Sequence, residues 1–294
     1  MADERVTFHR DIELRSPILI AAFRGWNDAG DAASFAASHL ARTWGAERLA
    51  SIDPEEFYDF QAVRPHVELV DGITRKISWP SNEFMAARLD GPHDVIVLIG
   101  TEPNVRWKTF SSLIVDIASS KGVELVITLG ALLADVPHSR PVQITGTAVD
   151  PGLIARLGLH RSRYEGPTGI VGVLHDAFSQ AGVGSASLWA AVPHYLAITP
   201  NPKAAMALVQ NASELTDIET DITELEIASA AYEERVSEIV ATDEDVQAYV
   251  ALLEERADER SVEEAIHPSE LPSADALAAE VEQFLQQREN GGDG

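Results

Sequence analysis

Four polar turns hold the side chains best placed to do chemistry, and three of them follow directly on runs that read as buried strands. After Ile18–Phe23 comes Arg24-Gly25-Trp26-Asn27-Asp28-Ala29-Gly30-Asp31. After Asp94–Gly100 comes Thr101-Glu102-Pro103-Asn104, and after Val123–Gly130 a longer loop carries Asp135, His138 and Arg140. Carboxylates at Asp28 and Glu102 are suited to a ligand hydroxyl or a cation, with Asn27 and Thr101 as hydrogen-bonding neighbours. Asp135, His138 and Arg140 have the makings of an acid/base and anion-holding group. The fourth turn, Gly166-Pro167-Thr168-Gly169, adds Thr168. Each residue also has a structural reading. Asn27 or Asp28 can cap a helix with Asp31 in its first turn, and Asp135, His138 and Arg140 can staple their own loop. Both readings stay open on the residues alone.

The elements that would position these turns alternate in type. Pro17–Phe23 is a continuous apolar run, as expected of a strand buried on both faces, and a helical pattern from about Ala29 to Thr43 follows it. Asp94–Gly100 and Val123–Gly130 are two more such runs, separated by a helical pattern from about Val105 to Ser120. Strand, helix, strand implies parallel neighbours joined by a right-handed crossover. Ligands in open α/β sheets bind outside the carboxyl ends of the strands, so the polar turns would then share one rim. Alternation from Val67 to Trp79 around Asp71-Gly72 predicts a hairpin. Pro141–Ala148, Gly169–Val173 and Ala186–Val192 read as further strands, with helices at Pro151–Leu157 and Leu174–Ala181.

Charge divides the chain. Its 294 residues carry 22 basic and 47 acidic side chains, a net −25, and residues 201–294 alone hold 24 acidic and 5 basic ones, a net −19. Such a balance disfavours phosphate-neutralising surfaces and anionic membranes, so neither nucleic acid nor a membrane is an expected partner. No run approaches the length of a membrane span, and the acidic opening has no apolar signal region behind it, so the protein is expected to be cytoplasmic. Zero cysteines exclude disulfides and thiol chemistry. P-loop, Rossmann, G-x-S-x-G and H-E-x-x-H signatures are all missing, so neither cofactor nor metal is expected.

Past Pro200 the pattern turns helical throughout. Leu215, Ile218, Ile222, Leu225, Ser229, Tyr232, Val236 and Ile239 form a seam spaced alternately three and four apart. Thr216-x-x-Glu219 and Thr242-x-x-Asp245 have the form of capping boxes and predict helix starts, the second helix running to about Asp258. Ser273 is expected to cap a final helix that buries Leu277, Val281, Phe284 and Leu285. The expected organisation is an α/β domain over 1–200, an acidic helical region over 201–289 and a disordered tail over 290–294.

The motifs Phe23–Gly30, Asp53–Phe60, Arg64-Pro65, Gly100–Pro103, Leu133–His138, Tyr164–Gly169 and Leu188–Leu196 together resemble the PAC2 family, named for proteasome assembly chaperone 2, over about residues 15–210. The likeness is to the actinobacterial branch, which has a C-terminal helical region. This resemblance implies a three-layer α/β/α sandwich of the phosphorylase/hydrolase-like kind, related in fold to purine nucleoside phosphorylases, with a mostly parallel sheet and a tendency to self-associate. Eukaryotic and archaeal relatives help assemble proteasome α-rings, and actinobacteria carry proteasomes. The chain departs from the family at its end: Gly291-Gly292-Asp293-Gly294 lacks the hydrophobic-Tyr tail by which some family chaperones dock, so that route is expected to be absent.

The resulting expectation is a non-enzymatic, chaperone-like protein-binding factor acting in proteasome assembly, with partners among the proteasome α-subunits and copies of itself, a trimer favoured. The alternative is an enzyme or sensor that binds a small nucleoside-like or phosphorylated ligand at a rim built from Asn27, Asp28, Thr101, Glu102, Asp135, His138, Arg140 and Thr168. A third reading makes that rim a subunit interface anchored by Trp26, Trp107, Trp189, Tyr58 and Tyr195.

Overall fold

The computed structural model describes residues 3–148, 150–161, 165–196 and 198–266. In chain order these form β1 (Val6–Phe8), β2 (Ile18–Arg24), α1 (Ala32–Thr43), β3 (Glu47–Ile52), β4 (His66–Val70), β5 (Thr74–Ser78), β6 (Asn82–Ala87), β7 (Val95–Thr101), α2 (Trp107–Ser120), β8 (Leu125–Ala134) and β9 (Ile144–Ala148). There follow α3 (Pro151–Leu157), β10 (His160–Arg161), α4 (Ile170–Gln180), β11 (Gly184–Pro193), α5 (Pro202–Thr216), α6 (Thr223–Val240) and α7 (Glu244–Ile266). The fold is α/β, a large mixed sheet flanked by helices, as the alternating pattern predicts. Two compact units can be distinguished. One comprises residues 1–27, 37–129 and 168–186, the other residues 28–36, 130–167 and 187–294, and the division does not follow residue 200.

In the first unit the strand order is β1-β3-β6-β7-β2-β8. β2 lies between two parallel neighbours, Ile18 facing Val95 of β7 on one side and Leu125 of β8 on the other. A strand paired on both edges and covered on both faces has no polar positions to spare, which is why β2 is apolar from Ile18 to Phe23 and turns polar only at the exposed Arg24. β6 turns the sheet antiparallel against β7, and β3 and β1 continue it so. The core is aromatic: the Phe110 ring meets Phe57 at 5.3 Å and Phe23 at 6.2 Å, both edge to face. The predicted hairpin is present as a separate two-stranded sheet, β4 with β5. Its turn needs left-handed backbone at both Asp71 (φ 54°) and Gly72 (φ 71°), and glycine supplies the second without strain.

In the second unit the order is β8-β11-β9-β10. α5 starts at Asn201, whose side chain accepts from the Ala204 amide at 3.0 Å, and α6 packs against it. α6 buries Leu225, Ser229, Tyr232, Val236 and Val240.

Several expectations need correction. Gly169–Val173 is not a strand: Ile170 opens α4, and the branched residues that read as strand are on a helical face that buries Ile170, Val171, Leu174 and Phe178. Thr216 does not start a helix but ends α5, its hydroxyl donating back to the Ala212 carbonyl at 2.7 Å. At α7 the cap is Asp243, which accepts from the Val246 amide at 3.2 Å, rather than Thr242. α7 runs on to Ile266, past Asp258. The seam's last position is Val240, since Ile239 is exposed. The final helix expected from Ser273 and the tail over 290–294 lie outside the described residues. No helix among the described residues is long and apolar enough to cross a membrane.

Asp94, at the entrance to β7, is fully buried and bound on all sides. It accepts from the Arg15 amide (2.7 Å), the Leu89 amide (3.0 Å) and the Arg15 guanidinium (2.7 Å). Burial alone would raise its pKa, but the Arg15 side chain and the two amides outweigh burial and hold it below the ordinary 3.8. The stabilisation from this carboxylate is therefore present above pH 3.8 and lost as pH falls through the lowered value. We expect Asp94→Asn to cost about 1–3 kcal/mol at neutral pH in urea unfolding, and the gap from wild type to narrow as pH falls below 3.8 and through the lowered pKa.

Candidate functional site

In the first unit the polar turns converge on one carboxylate. The Glu102 Oε1 accepts from the Ile170 amide at 2.8 Å and from Asn27 Nδ2 at 3.2 Å, and its Oε2 accepts from the Trp26 amide at 3.3 Å. Its own amide donates to the Arg24 carbonyl at 2.8 Å, continuing the β2–β7 ladder one residue past its end. Ile170 is the first residue of α4, and the residue before it, Gly169, has no side chain with which to cap. Glu102 thus performs in trans the work of a helix cap, and its charge faces the positive end of the helix dipole. Gly169 must be glycine for a separate reason: a Cβ there would lie 2.4 Å from Asn27 Nδ2. Thr168, exposed just ahead of the helix, points its hydroxyl over the first turn, 2.0 Å from where a Cβ of Gly172 would sit.

Thr101 joins a neighbouring network through its backbone. Its amide donates to Asn82 Oδ1 at 3.1 Å, and its carbonyl accepts from Tyr58 Oη at 2.5 Å, whose oxygen in turn accepts from Asn82 Nδ2 at 2.5 Å. Burial pushes the Tyr58 phenol pKa up, so this chain stays protonated and intact at any ordinary pH.

The second unit holds the other predicted residues. Asp28 Oδ1 caps α1, accepting from the Ala33 amide at 2.7 Å and the Ser34 amide at 3.1 Å. Asp135 accepts from Tyr249 Oη at 3.2 Å and lies 3.0 Å from His194 Nδ1. His138 is buried; its amide and its Nδ1 both meet Tyr195 Oη at 2.8 Å, and its Nε2 meets Ser237 Oγ at 3.1 Å. Burial, with the Lys203 cation nearby, lowers the His138 pKa below 6.5, so the ring is neutral at pH 7. Ser139 donates to Glu254, and Arg140 forms a two-pronged pair with Asp258 at 2.7 and 2.8 Å. The loop after β8 is thereby fastened to α6 and α7. The rings of Tyr195 and Tyr249 meet edge to face at 6.2 Å between them, and burial pushes each phenol up to about 12.

The structure therefore brings Glu102 and Asn27 together beside the start of α4, and links Asp135 to His138 through His194, Tyr195 and Tyr249. Asp28 stands apart from the latter group, occupied by α1. Lys203 joins the set unforeseen: its ammonium donates to the His138 carbonyl and to Glu233, both at 2.5 Å. No group of three or more His, Asp or Glu side chains suited to a metal ion occurs among the described residues. Of the proposed interface anchors, Trp26 is exposed, Tyr58 is buried, and Trp107, Trp189 and Tyr195 are half-buried.

A family model described as PAC2 matches residues 22–240. Among solved structures, a PAC2 family protein from Streptomyces avermitilis is 46% identical, with 80% of this chain and 99% of that one covered at a TM-score of 0.74. A proteasome-assembly chaperone homologue from Mycobacterium tuberculosis is 42% identical, with 79% and 99% covered at a TM-score of 0.72. The chain belongs to the PAC2 family. A further M. tuberculosis protein, 25% identical, covers 95% of this chain and 96% of its own at a TM-score of 0.82. No curated protein matches.

Within this PAC2 fold, what sequence reasoning missed are the partners. Ser237, Tyr249, Glu254 and Asp258 lie about 100 or more residues from the loop they bind, and helical periodicity marks which residues face inward without saying what they meet. Tyr195 was in view as an aromatic anchor, and its bond to His138 was not.

Asp28 gives the sharpest test of the structural role. Its second oxygen is buried with no hydrogen-bond partner among the described residues. Burial raises its pKa above 3.8 despite the amide bonds from Ser34 and Ala33. A raised carboxyl pKa means that the group's contribution to stability is fully present below 3.8 and lost as pH rises through the raised value. Asp28→Ala is expected to lose about 1 kcal/mol with the cap. Asp28→Asn keeps the acceptor and removes the buried charge, so urea midpoints should place it level with or above wild type at neutral pH, the advantage shrinking on acidification.

Proposed function

We propose that this PAC2 protein is a chaperone-like factor that binds other proteins in the cytoplasm, takes part in proteasome assembly through contacts with α-subunits, and self-associates, as a trimer. The observation that carries this reading is the 42% identity, over almost the whole of the relative, to a protein named as a proteasome-assembly chaperone homologue. Two features of the structure support it. Glu102, Asp28, His138 and Arg140 all have partners within the fold, so a small ligand would have to displace bonds that already hold helices in place. The acidic residues of α6, and of α7 as far as Glu259, that do not join this network face solvent, an outer surface fit for a protein partner. The acidic region over 201–289 is on this reading an addition that shapes the binding surface.

Native mass spectrometry of the purified protein, alone and mixed with the α-subunits of its own cell's proteasome, tests the proposal. The expected result is a stable mixed complex of defined stoichiometry. Failure to bind any proteasome subunit, with a retained small-molecule adduct in its place, would overturn it in favour of the nucleoside-like or phosphorylated ligand.

A further inference from the structure

The β4–β5 hairpin presents an apolar face to solvent. Its register sets Val67 opposite Ile77 and Leu69 opposite Arg75, and alternation places these four on one face, with Trp79 next along it. His66, Glu68, Val70, Thr74, Lys76 and Ser78 take the other face, which is polar except at Val70. Val67 and Leu69 are each 62% exposed, Ile77 57% and Trp79 50%. A two-stranded ribbon is marginally stable in water on its own, and a contiguous apolar patch of this kind marks an interaction surface. The hairpin is charge-balanced in a chain of net −25, Arg75 and Lys76 standing against Glu68 and Asp71, and Arg75 is the one charged side chain on the apolar face.

The complementary surface is on the same sequence. Opposite the buried seam of α6, the residues Glu224, Ile227, Ala231, Glu234 and Glu238 recur at helical spacing of three and four, and all five are exposed. Ile227, 69% exposed, gives this stripe an apolar centre, and its three carboxylates outnumber the one cation at its edge, the exposed Arg235. We propose that the apolar face of the β4–β5 hairpin of one copy docks on the outer face of α6 of a second copy, Val67, Leu69 and Ile77 covering Ile227 while Arg75 pairs with Glu234 and Glu238. Charge selects this arrangement over the symmetric ones. Stripe against stripe sets carboxylates against carboxylates, and hairpin face against hairpin face sets Arg75 against its own copy. Unlike patches in contact make a head-to-tail interface, which closes into a ring when the rotation allows. The inference rests on the self-association proposed above and names the surfaces that make it.

Sedimentation equilibrium on the full chain, with circular dichroism and urea midpoints to confirm folding, reads the outcome. Wild type should form a closed oligomer, and Ile77→Asp should be monomeric. Arg75→Glu should weaken assembly at least about tenfold, and Glu234→Arg by a similar factor. Combining Arg75→Glu with Glu234→Arg should restore assembly. Ile77→Asp mixed with Ile227→Asp leaves one usable hairpin and one usable α6, so the mixture should give a one-to-one dimer and nothing larger. If wild type assembles but the hairpin variants assemble equally well, the docking surface is wrong and self-association stands. Loss of assembly in the hairpin variants alone, with the α6 variants unaffected, would replace α6 by a hairpin-to-hairpin contact. A monomeric wild type would overturn both readings.

Discussion

One carboxylate ties three chain segments together. Glu102 ends β7, and its side chain takes the first amide of α4, an amide of the loop after β2 and the side chain of Asn27. A helix that opens on Gly169 has no cap of its own, and an unsatisfied amide there would cost on the order of 1–3 kcal/mol. Meeting that need from β7 fixes where α4 begins relative to the parallel strands, and α4 in turn packs on α2. The constraint reaches back into sequence. Gly169 is small because Asn27 approaches it, and the loop after β2 takes a path that delivers the Trp26 amide to Glu102. Residue types that read as chemistry at a strand-end rim are in this unit occupied with joining strands to a helix.

The second unit repeats the theme with a different fastening. The loop after β8 gives His138, Ser139 and Arg140 to Ser237, Glu254 and Asp258, while Tyr249 reaches Asp135. Some of the acidity of α6 and α7 is thus consumed internally, as the partner of Arg140 and of Lys203. Glu224, Glu234 and Glu238 of α6 and Glu244, Glu255 and Glu259 of α7 are exposed, and there charge governs which surfaces approach one another more than how tightly they hold. An α/β fold whose polar turns are spent on its own helices is well suited to act through its exterior, and this agrees with the family to which the chain belongs.

How much of this could be read from the residues depends on distance along the chain. The parallel core was legible because β2, β7 and β8 are largely buried on both faces and read as near-continuous apolar runs, broken within them by Thr128 of β8. The Asp71-Gly72 hairpin was legible from a turn that few dipeptides satisfy. β1, β3 and β6 were not, since β1 is a three-residue edge strand and Glu47, Arg48 and Glu83 break the apolar pattern of the interior strands β3 and β6. α4 misread as strand at its start because Ile170, Val171 and Val173 have strand propensity, and only the cap supplied by Glu102, 68 residues upstream, settles the matter. Of the candidate site, the residues were visible and their partners were not. Short-range patterns identify faces and caps, while the choice between ligand and staple is decided by groups brought in from elsewhere in the fold.

The central claim is that the rim carboxylates hold secondary structure in place, and amide hydrogen exchange on Glu102→Ala against wild type tests it most directly. The account predicts that the Ile170 amide, which has Glu102 as its acceptor, loses at least about tenfold of its protection, while Ile96 in β7 and Ile127 in β8 exchange as before. Unchanged protection at Ile170 would contradict it, showing that the start of α4 does not depend on Glu102 and freeing that carboxylate for a ligand.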